Sequence, residues 1–168
     1  MRKPAKRPEI PPRRSNNNKR RLIPLPQPDR IAALTKSVKY RGSSKHKLWP
    51  HLYGLEPFLG ERGDATLCDK HENFRPEDFD SIGDMIQRGL RAGLLGRNGL
   101  IWAIADNGWI YEARLTNFDQ TEYHGYPVRD SEPIAEPVYR RFAEWAQTSG
   151  DAVACRAAEY CQRRYGFK

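Results

Sequence analysis

An α+β fold is what the sequence predicts: one helix packed on a small antiparallel β-meander, two carboxy-terminal helices, and a disordered basic amino-terminal arm. Three observations carry it. Residues 100–128, LIWAIADNGWIYEARLTNFDQTEYHGYPV, set two apolar runs on either side of an Asp-Asn-Gly turn. Ile82, Met85, Ile86, Leu90 and Leu94 recur at helical spacing just before them. Basic residues crowd the amino-terminal end. Residues 1–47 hold 15 Lys/Arg against 2 acids, whereas residues 48–168 hold 14 against 19. At 168 residues the chain suits one domain with a tail, here an arm over 1–37 and a body over 38–168.

Residues 1–30 contain 10 Lys/Arg and 7 prolines, with Leu22, Ile23 and Leu25 as their main large apolar groups. Such a segment buries too little to offset its chain entropy, so disorder is expected. Arg13, Arg14, Lys19, Arg20 and Arg21 would neutralise nucleic-acid phosphates; the alternative is a solvated tail. After a short helical turn near Ile31–Leu34, Val38–Tyr40 reads as a strand. It runs into a basic turn in which Ser43, Arg41, Lys45, His46 and Lys47 would cradle a phosphate, or form a basic loop without a ligand. Trp49–Gly63 reads as an ordered loop rich in Pro and Gly.

The long helix takes Asp80 or Ser81 as its cap and stops at Gly96-Arg97-Asn98-Gly99. In the hairpin that follows, a two-residue Asn107-Gly108 loop pairs Ala103 with Glu112 and Trp102 with Ala113. Leu100, Trp102, Ile104, Tyr111, Ala113 and Leu115 then form the core face. Glu112 and Arg114 lie on an open opposite face, as reactive groups or as a solvated cross-strand pair. His124 alternates in phase with Tyr126 on the next strand, and residue parity does not fix which side it takes. Val138–Gln147 and Asp151–Tyr165 suit the last two helices.

Cys68, Cys155 and Cys161 are an odd set, which suits free thiols and a cytoplasmic setting. Cys68-x-x-His71 has metal-like spacing, but no second pair completes a zinc site. The sequence lacks a membrane-length apolar run, a phosphate-binding glycine loop and a nucleophile-elbow serine, so no cofactor is expected.

A helix followed by a sheet bearing acid, guanidinium and imidazole resembles the small bacterial ribonuclease toxins of barnase, EndoU, colicin and RelE type. The likeness covers residues 38–128 and lies in Gly108-Trp109-Ile110-Tyr111-Glu112 and Tyr123-His124-Gly125-Tyr126. The Tyr40–Lys47 block and Tyr123-His124-Gly125-Tyr126-Pro127 are also similar to short proteins of bacterial mobile elements. The two last helices stand outside that core. The resemblance implies an RNA 2′-hydroxyl attacking its own phosphate without a metal. Glu112 would be the base, His124 the acid, and Arg114 with Arg41 or Lys45 the charge stabilisers. Tyr123, Tyr126 or Trp109 would stack on a base. Expected partners are RNA and an immunity or host protein. A non-catalytic nucleic-acid-binding adaptor is the alternative, and an inhibitor of a host enzyme a further one.

Overall fold

The computed structural model describes residues 20–40, 42–63, 67, 81–117 and 122–168. The architecture is α+β, as the sequence predicts. Helix α1 (Pro28–Ser37) leads into the short strand β1 (Lys39–Tyr40), and two 3-10 turns follow, Ser44–His46 and Pro50–Tyr53. Helix α2 (Ile82–Arg91) precedes the meander β2 (Ile101–Ile104), β3 (Ile110–Asn117) and β4 (Glu122–Pro127). Helices α3 (Ala135–Ser149) and α4 (Ala152–Tyr165) close the chain. The strand order is β1-β4-β3-β2, with β1 parallel to β4 and the remaining pairs antiparallel.

The hairpin register differs from the expected one by a single residue. Trp102 pairs with Glu112, Ala103 with Tyr111, and Ile104 with Ile110. The turn explains the slip. Ala105 N–H donates to Trp109 O at 2.9 Å and Gly108 N–H donates to Ala105 O at 2.9 Å, so Asp106, Asn107 and Gly108 all sit in the loop. Within the loop Gly108 alone takes a positive φ, +87°. That geometry is a type I turn with a left-handed glycine bulge, and it needs three residues where the paired positive-φ turn needs two. A one-residue slip reverses every side chain. Glu112 therefore shares a face with Trp102, Ile104 and Ile110.

Both faces of the sheet are covered. Ile101, Ala103, Tyr111 and Ala113 pack with Ile82, Met85, Ile86 and Leu90 of α2. Trp102, Ile104, Ile110 and Val128 pack with Val138, Phe142, Ala154 and Ala157 of α3 and α4. Gly89 lets α2 lie on β2, because a Cβ there would meet Trp102 O at 2.2 Å. Helix α3 starts three residues before the expected Val138, accommodating Pro137 in the first turn, where an amide donor has no helical partner. Asp151 caps α4, accepting from Val153 and Ala154 N–H at 3.0 Å.

Part of the segment expected as an arm packs on the body. Residues 20–37 join the body: Ile23 N–H donates to Leu95 O at 2.9 Å, and Arg141 Nη1 donates to Ile23 O at 2.7 Å. Ile23, Ile31 and Leu34 pack on the α2 side of the core. Sparse apolar residues suffice here because Ile23, Ile31 and Leu34 each pack against that cluster. Arg13, Arg14 and Lys19, the Cys68-x-x-His71 pair and Arg41 lie outside the described residues. Among the described residues, no helix is long and apolar enough to cross a membrane.

Candidate active site

The register slip turns Glu112 inward. Its side chain is 0 % exposed, and the expected open shelf does not form. Oε2 accepts from Arg20 Nε at 2.9 Å, Arg20 Nη2 at 2.7 Å and Trp102 Nε1 at 3.0 Å. Oε1 accepts from Arg114 Nε at 2.8 Å and Tyr126 OH at 2.5 Å. Five donors on one carboxylate leave little room for a sixth. Burial pushes the Glu112 carboxyl upward, but the charge of Arg20, hydrogen bonds from Tyr126 and Arg20, and the charge of Arg114 hold it below the usual range. Glu112 is thus a fixed anion that orients its neighbours.

Arg20 is buried too. It bridges Glu112 and Glu132, with Nη2 at 2.6 Å from Glu132 Oε2. Burial lowers its proton affinity, and the two carboxylates more than restore it. This corrects its expected place on a phosphate-binding arm, because a buried guanidinium held by two carboxylates does not reach RNA. Exposed Arg21, next in the chain, keeps the expected accessibility.

Arg114 and His124 are brought together, as neighbours across β3 and β4. Arg114 is half-buried, and its guanidinium lies 5.5 Å from the Tyr126 ring centroid. The Ser44–His46 turn folds over this end of the sheet. Ser43 O accepts from His46 N–H at 3.1 Å and closes the turn. The His46 ring then lies 5.4 Å from that of His124, with 13° between the planes, and 5.5 Å from Tyr126. Lys45 is exposed beside it. The pairing of two imidazoles is the feature that sequence reasoning missed. His46 and His124 lie 78 positions apart in the chain, and no local pattern joins them.

His124 feels this setting. Burial, then the charges of His46, Arg114, Lys47 and Lys45, lower its pKa from 6.5 to about 4. It is a neutral imidazole at pH 7, and its surroundings oppose protonation until a negative charge offsets them. The same positive surroundings favour an anion nearby.

Lys47 departs from expectation. Lys47 lines a cavity on the α2 side of the sheet, with Tyr40, Ile82, Met85 and Tyr111. It is 0 % exposed and lies 5.2 Å over the Tyr53 ring. It therefore acts on the site by charge at a distance and does not touch phosphate. Tyr123 and Tyr126 are buried, which removes them as base-stacking platforms. Trp109 packs against Tyr165 and under Arg164 at the opposite end of β3.

Cys155 and Cys161 are free thiols; burial pushes Cys161 up to about 12, which leaves it unreactive. Comparison of the chain with protein-family models, with curated proteins and with solved structures finds no match in any of the three.

Proposed function

We propose that the chain is an endoribonuclease that cleaves RNA by attack of the 2′-hydroxyl on the adjacent phosphate. The observation that supports this best is the stacked His46–His124 pair set among Arg114, Lys45 and Lys47. Transesterification needs one proton taken from the 2′-oxygen and one given to the departing 5′-oxygen. His124, neutral at pH 7 and made more basic once the bound phosphate offsets the cations around it, accepts the first; His46 supplies the second. The 2′-oxygen–phosphorus bond forms, the phosphorus–5′-oxygen bond breaks, and a 2′,3′-cyclic phosphate results. Arg114 and Lys45 hold the phosphoryl oxygens and offset the charge that grows on them. Glu112 keeps Arg114 and Tyr126 in place and does not exchange a proton with substrate. These imidazoles and cations cover the proton transfers and charge stabilisation that the reaction asks for.

The test is direct. Purified full-length protein should cut a single-stranded RNA and leave cyclic phosphate ends. A 2′-deoxy substitution at the scissile nucleotide should block that cut. His46→Ala and His124→Ala should each lower kcat at least about 100-fold with the fold intact. A second reading, a nucleic-acid-binding protein without turnover, is favoured by the charge of residues 1–47. Tight RNA binding with every phosphodiester left whole would select it.

A further inference from the structure

We infer that Tyr126 is a positioning residue for the paired imidazoles, its ring seating His46 on His124 and its hydroxyl locking that ring to Glu112. The contacts stand on geometry alone; their effect on turnover rests on the ribonuclease reading above. Along β4, His124 and Tyr126 are two positions apart, so both project from one side of the sheet. The loop carrying His46 is tied down on each side of it. Gly42 N–H donates to Tyr123 O at 3.2 Å, and Lys47 O accepts from Arg62 Nη2 at 2.9 Å. Between those ties the His46 ring meets both β4 rings, at 5.4 Å and 13° to His124 and at 5.5 Å and 29° to Tyr126.

Tyr126 is itself a fixed surface. It is buried, and its hydroxyl donates to Glu112 Oε1 at 2.5 Å. Burial, then the Glu112 charge, push the phenol up, so it stays protonated and keeps donating. A hydrogen bond to a carboxylate is roughly twice as strong as a neutral one, and Glu112 in turn is gripped by Arg20 and Trp102. Arg114 shares the arrangement: its Nε donates to Glu112 Oε1 at 2.8 Å, and its guanidinium lies 5.5 Å from the Tyr126 ring centroid. One anchored ring thus touches both an imidazole and a guanidinium of the site. His46 and His124 repel each other when both carry a proton, and Arg114, Lys45 and Lys47 add like charge around them. Their stacked placement therefore calls for a mechanical seat, which an anchored ring supplies.

The test follows the His124 titration by nuclear magnetic resonance in the full-length protein, without RNA. Wild type is compared with Tyr126→Phe, which keeps the ring and loses the hydroxyl, and with Tyr126→Leu, which loses both. The positive charge of His46 helps to hold the His124 pKa at about 4, so a His46 that swings away lets it rise toward 6.5. Tyr126→Leu should give most of the rise that His46→Ala gives, and combining the two should move the midpoint no further. Tyr126→Phe should fall between wild type and Tyr126→Leu. On single-stranded RNA, Tyr126→Leu should lower kcat about tenfold and leave KM within about twofold, since a misplaced proton donor slows the chemical step. A folded Tyr126→Leu protein that is weaker in urea yet keeps the wild-type His124 midpoint would overturn the assignment, because the ring would then serve packing alone. So would rises that add in the double variant. Should Tyr126→Leu not fold, Tyr126→Phe decides, by a raised midpoint or, against the proposal, an unaltered one. RNA left whole by the wild type would fail the ribonuclease reading instead and leave the titration to judge the seat.

Discussion

Arg20 and Glu112, ninety-two residues apart, share one carboxylate oxygen through two hydrogen bonds of 2.9 and 2.7 Å. This contact fixes the amino-terminal strap to the third strand and, through the other oxygen, fixes Arg114 and Tyr126. Removing one partner of a buried pair strands the other charge. Arg20→Ala should cost about 3–5 kcal/mol, read from urea unfolding midpoints. A loss below about 1 kcal/mol would show that the strap is dispensable.

Glu112 is assigned a positioning role, and its kinetics should say so. Glu112→Gln should lower kcat/KM about tenfold through a displaced Arg114, while the acidic limb of the pH–rate profile keeps its midpoint. A general base would behave otherwise, since its removal erases that limb. Loss of the acidic limb in Glu112→Gln would return Glu112 to the reacting groups.

Stability should fall as the solution is acidified. His124 binds its proton at about pH 4 when folded and near 6.5 when unfolded, so the unfolded chain takes up more protons between those values. Its contribution is complete above about 6.5 and is lost progressively toward 4. The lowered Glu112 works in the same direction at more acidic pH, as the folded state resists its protonation. Melting temperatures from pH 7 to 4 should therefore decline, and His124→Asn should flatten the upper part of that decline. A parallel decline in the variant would remove His124 as its source.

An anion in the site should reverse the repulsion that His124 feels. Nuclear magnetic resonance titration should show its pKa rising when inorganic phosphate or a 3′-mononucleotide binds. Lys47→Met, which removes a buried charge at similar volume, should raise it in the free protein. A midpoint indifferent to both would place the anion elsewhere.

Gly108 closes the hairpin that sets the register. At φ +87°, with a Cβ 2.5 Å from both Cys161 N and Tyr160 C, Gly108→Ala meets backbone strain and a clash with α4 together. About 3 kcal/mol of destabilisation is expected in denaturant melts. A neutral substitution would mean that the turn has freedom to change its loop length.

Much of the architecture was legible in the chain. The stripe Ile82, Met85, Ile86 and Leu90 marked α2, Asp106-Asn107-Gly108 marked the hairpin, and Asp151 and Gly166 bounded α4. Local periodicity and turn chemistry suffice for such elements. The faces were harder. Ile101, Trp102, Ala103 and Ile104 are all buried, so β2 carries no alternation from which a register can be read.

The candidate site was legible only in part. Arg114 and His124 do lie on adjacent strands, and Lys45 and His46 in the basic turn.

Sequence by itself determined the elements, their order and the presence of acid, guanidinium and imidazole, because each is written in neighbouring residues. Tertiary structure alone decided that Glu112 is enclosed by Arg20 and Trp102 and that His46 comes to rest on His124. Those outcomes turn on a single residue of loop length and on contacts between distant segments. Packing energies select them from the whole folded chain, and no short stretch of the chain contains them.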